Sequence, residues 1–142
     1  MTPEGLHRVR GPFGTCHILV DERRRAVVID TGLLGYEARF VQAFARLGLA
    51  PGAVDAILLT HGHLDHTGNA AWLRAWTGAP VLAHPLEQAH VDGVYPYRGV
   101  ARVCGALEAL GRAVARYRAV PIDRALADGE ELPFWGGLRV VH

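Results

Sequence analysis

A chain of 142 residues, half of them apolar, has the size and composition of one domain with a real core. A formal net charge of +1, carried by fifteen scattered arginines with no lysine, gives no electrostatic footprint for nucleic acid or an anionic membrane surface. No apolar run approaches the ~20 residues that span a bilayer, and Met1–Arg10 does not resemble a secretion signal, so the expectation is a cytoplasmic protein.

In chain order, Leu6 to Arg10 alternates weakly and predicts a short strand. Thr15 to Val20 and Ala26 to Ile29 are apolar runs flanking the charged segment Asp21–Arg25, a β-hairpin pattern whose second strand should be buried on both faces. Asp30-Thr31-Gly32 closes that strand. Tyr36, Phe40, Phe44 and Leu47 then form one stripe of a helix that Gly48 stops. Val54 to Leu59 reads as a buried strand ending at Thr60, followed by a histidine-rich loop and a second helix from about His66 to Trp76. Pro80 to Ala83 is a further strand.

From Val100 the spacing turns helical: Val100, Val103, Leu107, Leu110, Val114 and Tyr117 recur at three and four residues, and Glu108 stands four before Arg112. That stripe is read as packing, with a substrate cap as the alternative. Leu132–Trp135 and Leu138–Val141 read as strands around Gly136-Gly137. Strands alternating with helices predict a layered α/β domain. Cys16 and Cys104 lie in no CxxC pattern and are read as two buried free thiols.

The chemistry is concentrated in Leu59-Thr60-His61-Gly62-His63-Leu64-Asp65-His66-Thr67-Gly68, where four metal-ligand side chains fall within six residues. In an extended loop, positions two apart point the same way, so His61 and His63 can offer both imidazoles to one ion. Asp65 and His66 follow at the loop-to-helix junction, where the turning backbone aims them at a second point. Gly62 lets the backbone bend close to metal. Imidazoles with a carboxylate suit zinc, or iron or manganese. His7, His17 and His90 are read as surface or packing residues. Tyr95 and Tyr97, flanking Pro96, are read as loop anchors, with a substrate mouth as the alternative.

His-x-His-x-Asp-His after a strand resembles the signature of the metallo-β-lactamase superfamily, which includes class B β-lactamases, glyoxalase II-like thioesterases, lactonases, arylsulfatases and RNA-processing nucleases. Asp30 in Val27-Val28-Ile29-Asp30-Thr31-Gly32 resembles the family's acidic residue supporting the metal loop, and His84 resembles a histidine that follows the next strand without being a ligand. Asp128-Gly129 through His142 is similar to the family's passage into a further metal-binding turn. On this resemblance the fold is the N-terminal half of an αββα sandwich over residues 1–142, with the C-terminal half missing. The turn His-Thr-Pro-Gly-His, a bridging aspartate and a later histidine would then lie beyond His142, which matches only the turn's first, non-ligand histidine.

The resemblance implies a metal-dependent hydrolase holding two divalent ions, zinc first, with iron or manganese as alternatives. A metal-bound hydroxide would cleave an ester, thioester, lactone, lactam or phosphoester bond of a small-molecule substrate. His61, His63, Asp65 and His66 would be ligands, Asp65 would also handle a proton, and Asp30 would orient ligands from behind them. The alternative is a truncated, catalytically silent fragment that acts, if at all, by association, with self-association possible.

Overall fold

A computed structural model describes residues 5–94, 97–114 and 116–142; Tyr95 and Pro96 lie outside them. Strands β1 (Leu6–Gly11), β2 (Gly14–Val20) and β3 (Ala26–Ile29) precede helix α1 (Glu37–Leu47), strand β4 (Val54–Leu58) and helices α2 (Leu64–Thr67) and α3 (Ala70–Thr77). Strand β5 (Val81–Ala83), helices α4 (Gln88–Val91) and α5 (Arg102–Val114), and strands β6 (Arg124–Ala125), β7 (Glu131–Leu132) and β8 (Leu138–Arg139) complete the described strands and α-helices; single 3-10 turns stand at Pro51–Ala53, Pro85–Glu87 and Gly99–Ala101. The first six strands form one sheet in sequence order: β1 to β3 pair antiparallel and β3 to β6 parallel. Strands β7 and β8 form a separate hairpin.

The β2–β3 turn is tied by its own charges. Asp21 accepts a 2.7 Å hydrogen bond from the Arg25 amide, while Arg24 takes the left-handed turn at φ 63°. Arg25 reaches on to Asp55 at the start of β4. Side chains alternate between sheet faces, and both faces are apolar. Ile18, Val20, Val28, Ile57 and Val81 pack beneath Tyr36, Phe40 and Phe44 of the α1 stripe and Leu73 of α3. Leu19, Val27, Ala56, Leu58 and Leu82 face the other way, against Leu132 and the partly buried Phe134, Trp135 and Leu138 of the hairpin. A helix layer, a mixed sheet and the hairpin on its far face make the α/β sandwich expected from the element order. Each buried aromatic of α1 stabilises it by roughly 1.5–3 kcal/mol.

Four differences from the sequence reading have physical causes. The helix expected over His66–Trp76 is broken into α2 and α3. A Cβ on Gly68 would come within 2.7 Å of the Gly32 carbonyl, and the Asn69 amide turns to the carbonyls of Thr31 and Leu33 at 2.6 Å each. Strand β4 ends at Leu58, two residues before Thr60, although the Leu59 amide still donates to the Leu82 carbonyl at 2.9 Å. Cys16 is buried, and burial followed by the Asp30 charge pushes its thiol up to about 12; Cys104 instead is exposed on α5. The apolar stripe of α5 faces solvent, with Val103, Leu107, Leu110 and Val114 all more than 60% exposed, while Gly105 and Arg112 are buried. Among the described residues no helix is long and apolar enough to cross a membrane.

Topology sets where the site lies. The carboxyl ends of β3, β4 and β5 lead into Asp30, the loop that runs from Thr60 into α2, and the His84–Glu87 turn respectively. Parallel strands bring these ends to one edge, where α/β sheets hold their ligands.

Candidate metal centre

Asp30 is the pivot. Its amide continues the parallel ladder by donating to the Leu58 carbonyl at 2.8 Å, and its backbone then turns left-handed at φ 58°. Aspartate tolerates that conformation better than most residues. The turn sends the side chain, in a residue only 7% exposed, under the motif loop. There Oδ1 accepts from the Thr60 amide at 2.8 Å, and Oδ2 lies 2.8 Å from the Thr60 hydroxyl and 2.9 Å from His66 Nδ1. A buried carboxylate needs such partners, because desolvation without them costs several kcal/mol.

The next residues lock the other side of the loop. Thr31 donates both its amide, at 2.7 Å, and its hydroxyl, at 2.9 Å, to the His66 carbonyl. The loop that ends β3 is therefore tied to α2 by two hydrogen bonds.

These contacts define the imidazoles' hydrogen positions. Nδ1–H of His66 donates to Asp30, which leaves Nε2, 3.5 Å from Asp65 Oδ2, as the nitrogen that could meet an ion. The Thr60 hydroxyl, with its proton given to Asp30, accepts from His61 Nδ1 at 3.0 Å, so His61 likewise presents Nε2. His63 Nε2 stands 2.6 Å from the Tyr97 hydroxyl. The hydrogen bond to Asp30 holds the His66 imidazole above its ordinary range despite burial. His61 is lowered, first by burial and then by the neighbouring His66 and His63.

Ligand atoms of His61, His63 and Asp65 all lie within 4.8 Å of one another. The expected pairing of His61 with His63 is present in this grouping. Asp65, expected at a second point with His66, instead falls in the group with His61 and His63, while its Oδ2 lies 3.5 Å from His66 Nε2. The rings of His61 and His66 are 3.8 Å apart and those of His61 and His63 4.9 Å. Two nitrogens and a carboxylate oxygen converging from one short loop are a donor set suited to a borderline divalent ion such as zinc. The Asp65 side chain is 47% exposed, so the group opens to solvent.

Of the other histidines, His7 and His17 sit on the paired strands β1 and β2. The His90 ring is 5.6 Å from that of His63. His84 stacks on His142 at 3.6 Å, and His142 Nε2 lies 3.5 Å from Glu87. Gly62 has a reason for being glycine that its spacing did not reveal: a Cβ there would stand 2.5 Å from His90 Cβ and 2.8 Å from the Glu87 carbonyl. Glu87, Glu108 and Arg112, absent from the motif, all bond to the loop's backbone. The one signal of them in the sequence was the four-residue spacing of Glu108 and Arg112, which reads equally well as a surface pair.

Residues 10–142 match the family model of the metallo-beta-lactamase superfamily. The chain belongs to that family. Similar curated proteins include the probable metallo-hydrolase YybB of Bacillus subtilis, 44% identical over 71 residues that make up 49% of this chain and 30% of that protein. A hydroxyacylglutathione hydrolase of Albidiferax ferrireducens is 45% identical over 70 residues, 49% of this chain and 25% of that protein. Among solved structures, a motif mutant of a metallo-beta-lactamase from Cronobacter sakazakii superimposes with a TM-score of 0.78 at 24% identity, covering 99% of this chain and 52% of that one. The metallo-beta-lactamase family protein TTHA1429 of Thermus thermophilus gives 0.73 at 25% identity with the same coverage. The structural likenesses show the metallo-beta-lactamase fold. The chain spans about half the length of these solved structures, and its matched stretches a third or less of the curated relatives.

Proposed function

We propose that the protein is a metal-dependent hydrolase and that His61, His63, Asp65 and His66 are its ligands within this chain, for two divalent ions with zinc first and iron or manganese as alternatives. The observation carrying this reading is the convergence of His61, His63 and Asp65 ligand atoms within 4.8 Å. The printed names of the relatives, a probable metallo-hydrolase and a hydroxyacylglutathione hydrolase, support the same reaction class. The substrate is a small molecule with an ester, thioester, lactone, lactam or phosphoester bond.

Divalent ions, when bound, supply a water acidic enough to ionise near neutral pH and polarise the bond under attack. The chain's own residues do the rest. Asp30 fixes the His66 ring through Nδ1 and, by way of Thr60, the His61 ring, so that Nε2 is the nitrogen each leaves for an ion. Asp65, exposed beside these rings, is the group placed to accept a proton from an attacking water at a carboxylate oxygen. No serine or cysteine nucleophile is required: Cys16 is buried, with its thiol held protonated far above neutral pH.

The test is to load the chain with zinc or manganese and measure bound metal and turnover on a panel of ester, thioester, lactone, lactam and phosphodiester substrates. Metal uptake with turnover that His61→Ala abolishes is the expected result. Metal uptake without turnover on any substrate favours the catalytically silent alternative for this chain. Uptake unchanged by His61→Ala and His63→Ala contradicts the ligand assignment.

A further inference from the structure

We propose that Glu108 and Arg112 of α5, together with Glu87, are positioning residues that hold the metal loop in its ligand-presenting shape by gripping its backbone; this rests on the metal-site reading above. Around His63 three backbone groups are held by side chains from outside the motif. The Gly62 amide donates to Glu87 Oε2 at 2.8 Å, the Gly62 carbonyl accepts from Arg112 Nη2 at 2.7 Å, and the Leu64 amide donates to Glu108 Oε1 at 2.9 Å. Arg112 and Glu108 are themselves paired at 3.1 Å, with side chains only 7% and 15% exposed. Arg112 Nη1 donates to the Val91 carbonyl at 2.9 Å, and the guanidinium lies 4.1 Å from the Tyr117 ring centroid.

The chemistry of this arrangement explains its residue types. The segment carrying the four ligands runs from an irregular loop into the first turn of α2, where backbone groups lack ladder or helix partners and need side-chain ones. A planar guanidinium can hold two carbonyls and a carboxylate at once, which a lysine ammonium on a flexible stem does poorly. Glu108 meets an amide and the guanidinium with one oxygen, so the pair leaves little charge uncompensated in a buried place. The same need accounts for the orientation of α5, which turns Glu108 and Arg112 to the loop and leaves its apolar stripe outside. None of these side chains offers an atom to the three-ligand group of His61, His63 and Asp65. They act through the loop.

The test compares Arg112→Met, Arg112→Lys, Glu108→Gln and Glu108→Ala in the full chain with wild type and His61→Ala. Three readouts are taken: zinc affinity by competition with a chromophoric chelator, exchange of the Leu64 amide hydrogen in the metal-free protein, and exchange of core amides such as Ile57. Arg112→Met and Glu108→Ala are expected to weaken zinc binding by about tenfold or more. They should speed Leu64 exchange selectively, with Ile57 still protected, and Arg112→Lys should recover part of the affinity. If Arg112→Met does not fold, the Glu108 variants carry the same comparison, because Glu108→Gln retains an acceptor for Leu64 and should lose less than Glu108→Ala. Wild-type zinc affinity in a folded variant, or loss of Leu64 protection only in step with Ile57, overturns the proposal. Zinc uptake that His61→Ala leaves intact instead sinks the metal reading, whereas uptake lost in His61→Ala and kept in Arg112→Met and Glu108→Ala sinks the backbone grip alone.

Discussion

Helices α1 and α5 have the same kind of sequence and opposite orientations. Both carry an apolar stripe at three- and four-residue spacing. In α1 the stripe of Tyr36, Phe40 and Phe44 is at most 2% exposed, against a sheet face of valines and isoleucines. In α5 the stripe of Val103, Leu107, Leu110 and Val114 faces solvent, and Glu108 and Arg112 turn inward. The difference lies in what each helix packs on. A sheet has satisfied its own backbone groups and offers only apolar side chains. The metal loop offers amides and carbonyls without ladder partners, so it attracts the charged face. Periodicity reveals that a helix has two faces; the neighbour decides which one is buried.

The largest expected effect separates the two stripes. Phe40→Ala in α1 should lower stability by about 3–5 kcal/mol, and Leu107→Ala in α5, at 65% exposure, should change it by less than about 0.5 kcal/mol. Urea unfolding of the two variants measures both. A cost at Leu107 comparable to that at Phe40 would mean that the α5 stripe is covered in solution and would break the comparison.

A smaller effect sharpens the role of the buried polar groups. Asp30→Asn keeps the shape of the side chain but places an amide group or an uncharged oxygen opposite His66 Nδ1–H. Zinc affinity should fall by about 10–100-fold, with circular dichroism unchanged, as measured by chelator competition. Undiminished affinity would show that the loop holds its imidazoles without Asp30.

The smallest effect is a control at the sheet edge, away from the motif. Asp123 accepts from Arg74 at 2.7 and 2.9 Å and from the Val81 amide at 2.9 Å, and the Arg74 hydrogen bonds hold its carboxyl below the ordinary 3.8. A carboxyl depressed in the folded state contributes stability above its unfolded value, and that contribution is lost as the pH falls through the folded one. Asp123→Asn should therefore shallow the loss of stability below about pH 4 while leaving zinc affinity as in wild type. Thermal melts from pH 5 downward measure it, and an unchanged acid profile would show that the ion pair makes no net contribution.

Much of this arrangement was legible in the sequence for specific reasons. The motif was visible because four ligand types crowd into six residues, and α1 because its stripe and Gly48 agree on one helix. Asp30 stood out at the end of a buried run, where a carboxylate requires partners. The break between α2 and α3 was hidden, since it falls at Asn69, at φ −110° and ψ 11°, whose side-chain amide donates to the carbonyls of Thr31 and Leu33 far back in sequence. Strand β6 has only two residues, too few for any periodicity to register. Glu87, Glu108 and Arg112 were illegible as a group because their common target is backbone, which leaves no complementary side-chain pattern to find.

The central claim is that the 61–66 segment is a metal site presented by side chains behind it, and zinc-edge X-ray absorption of the loaded chain tests this most directly. The predicted spectrum shows imidazole scattering together with oxygen ligands, and the imidazole component falls in His61→Ala and again in His61→Ala/His63→Ala. A loaded chain whose zinc shell contains no imidazole, or whose imidazole signal is unaffected by those substitutions, would contradict the account.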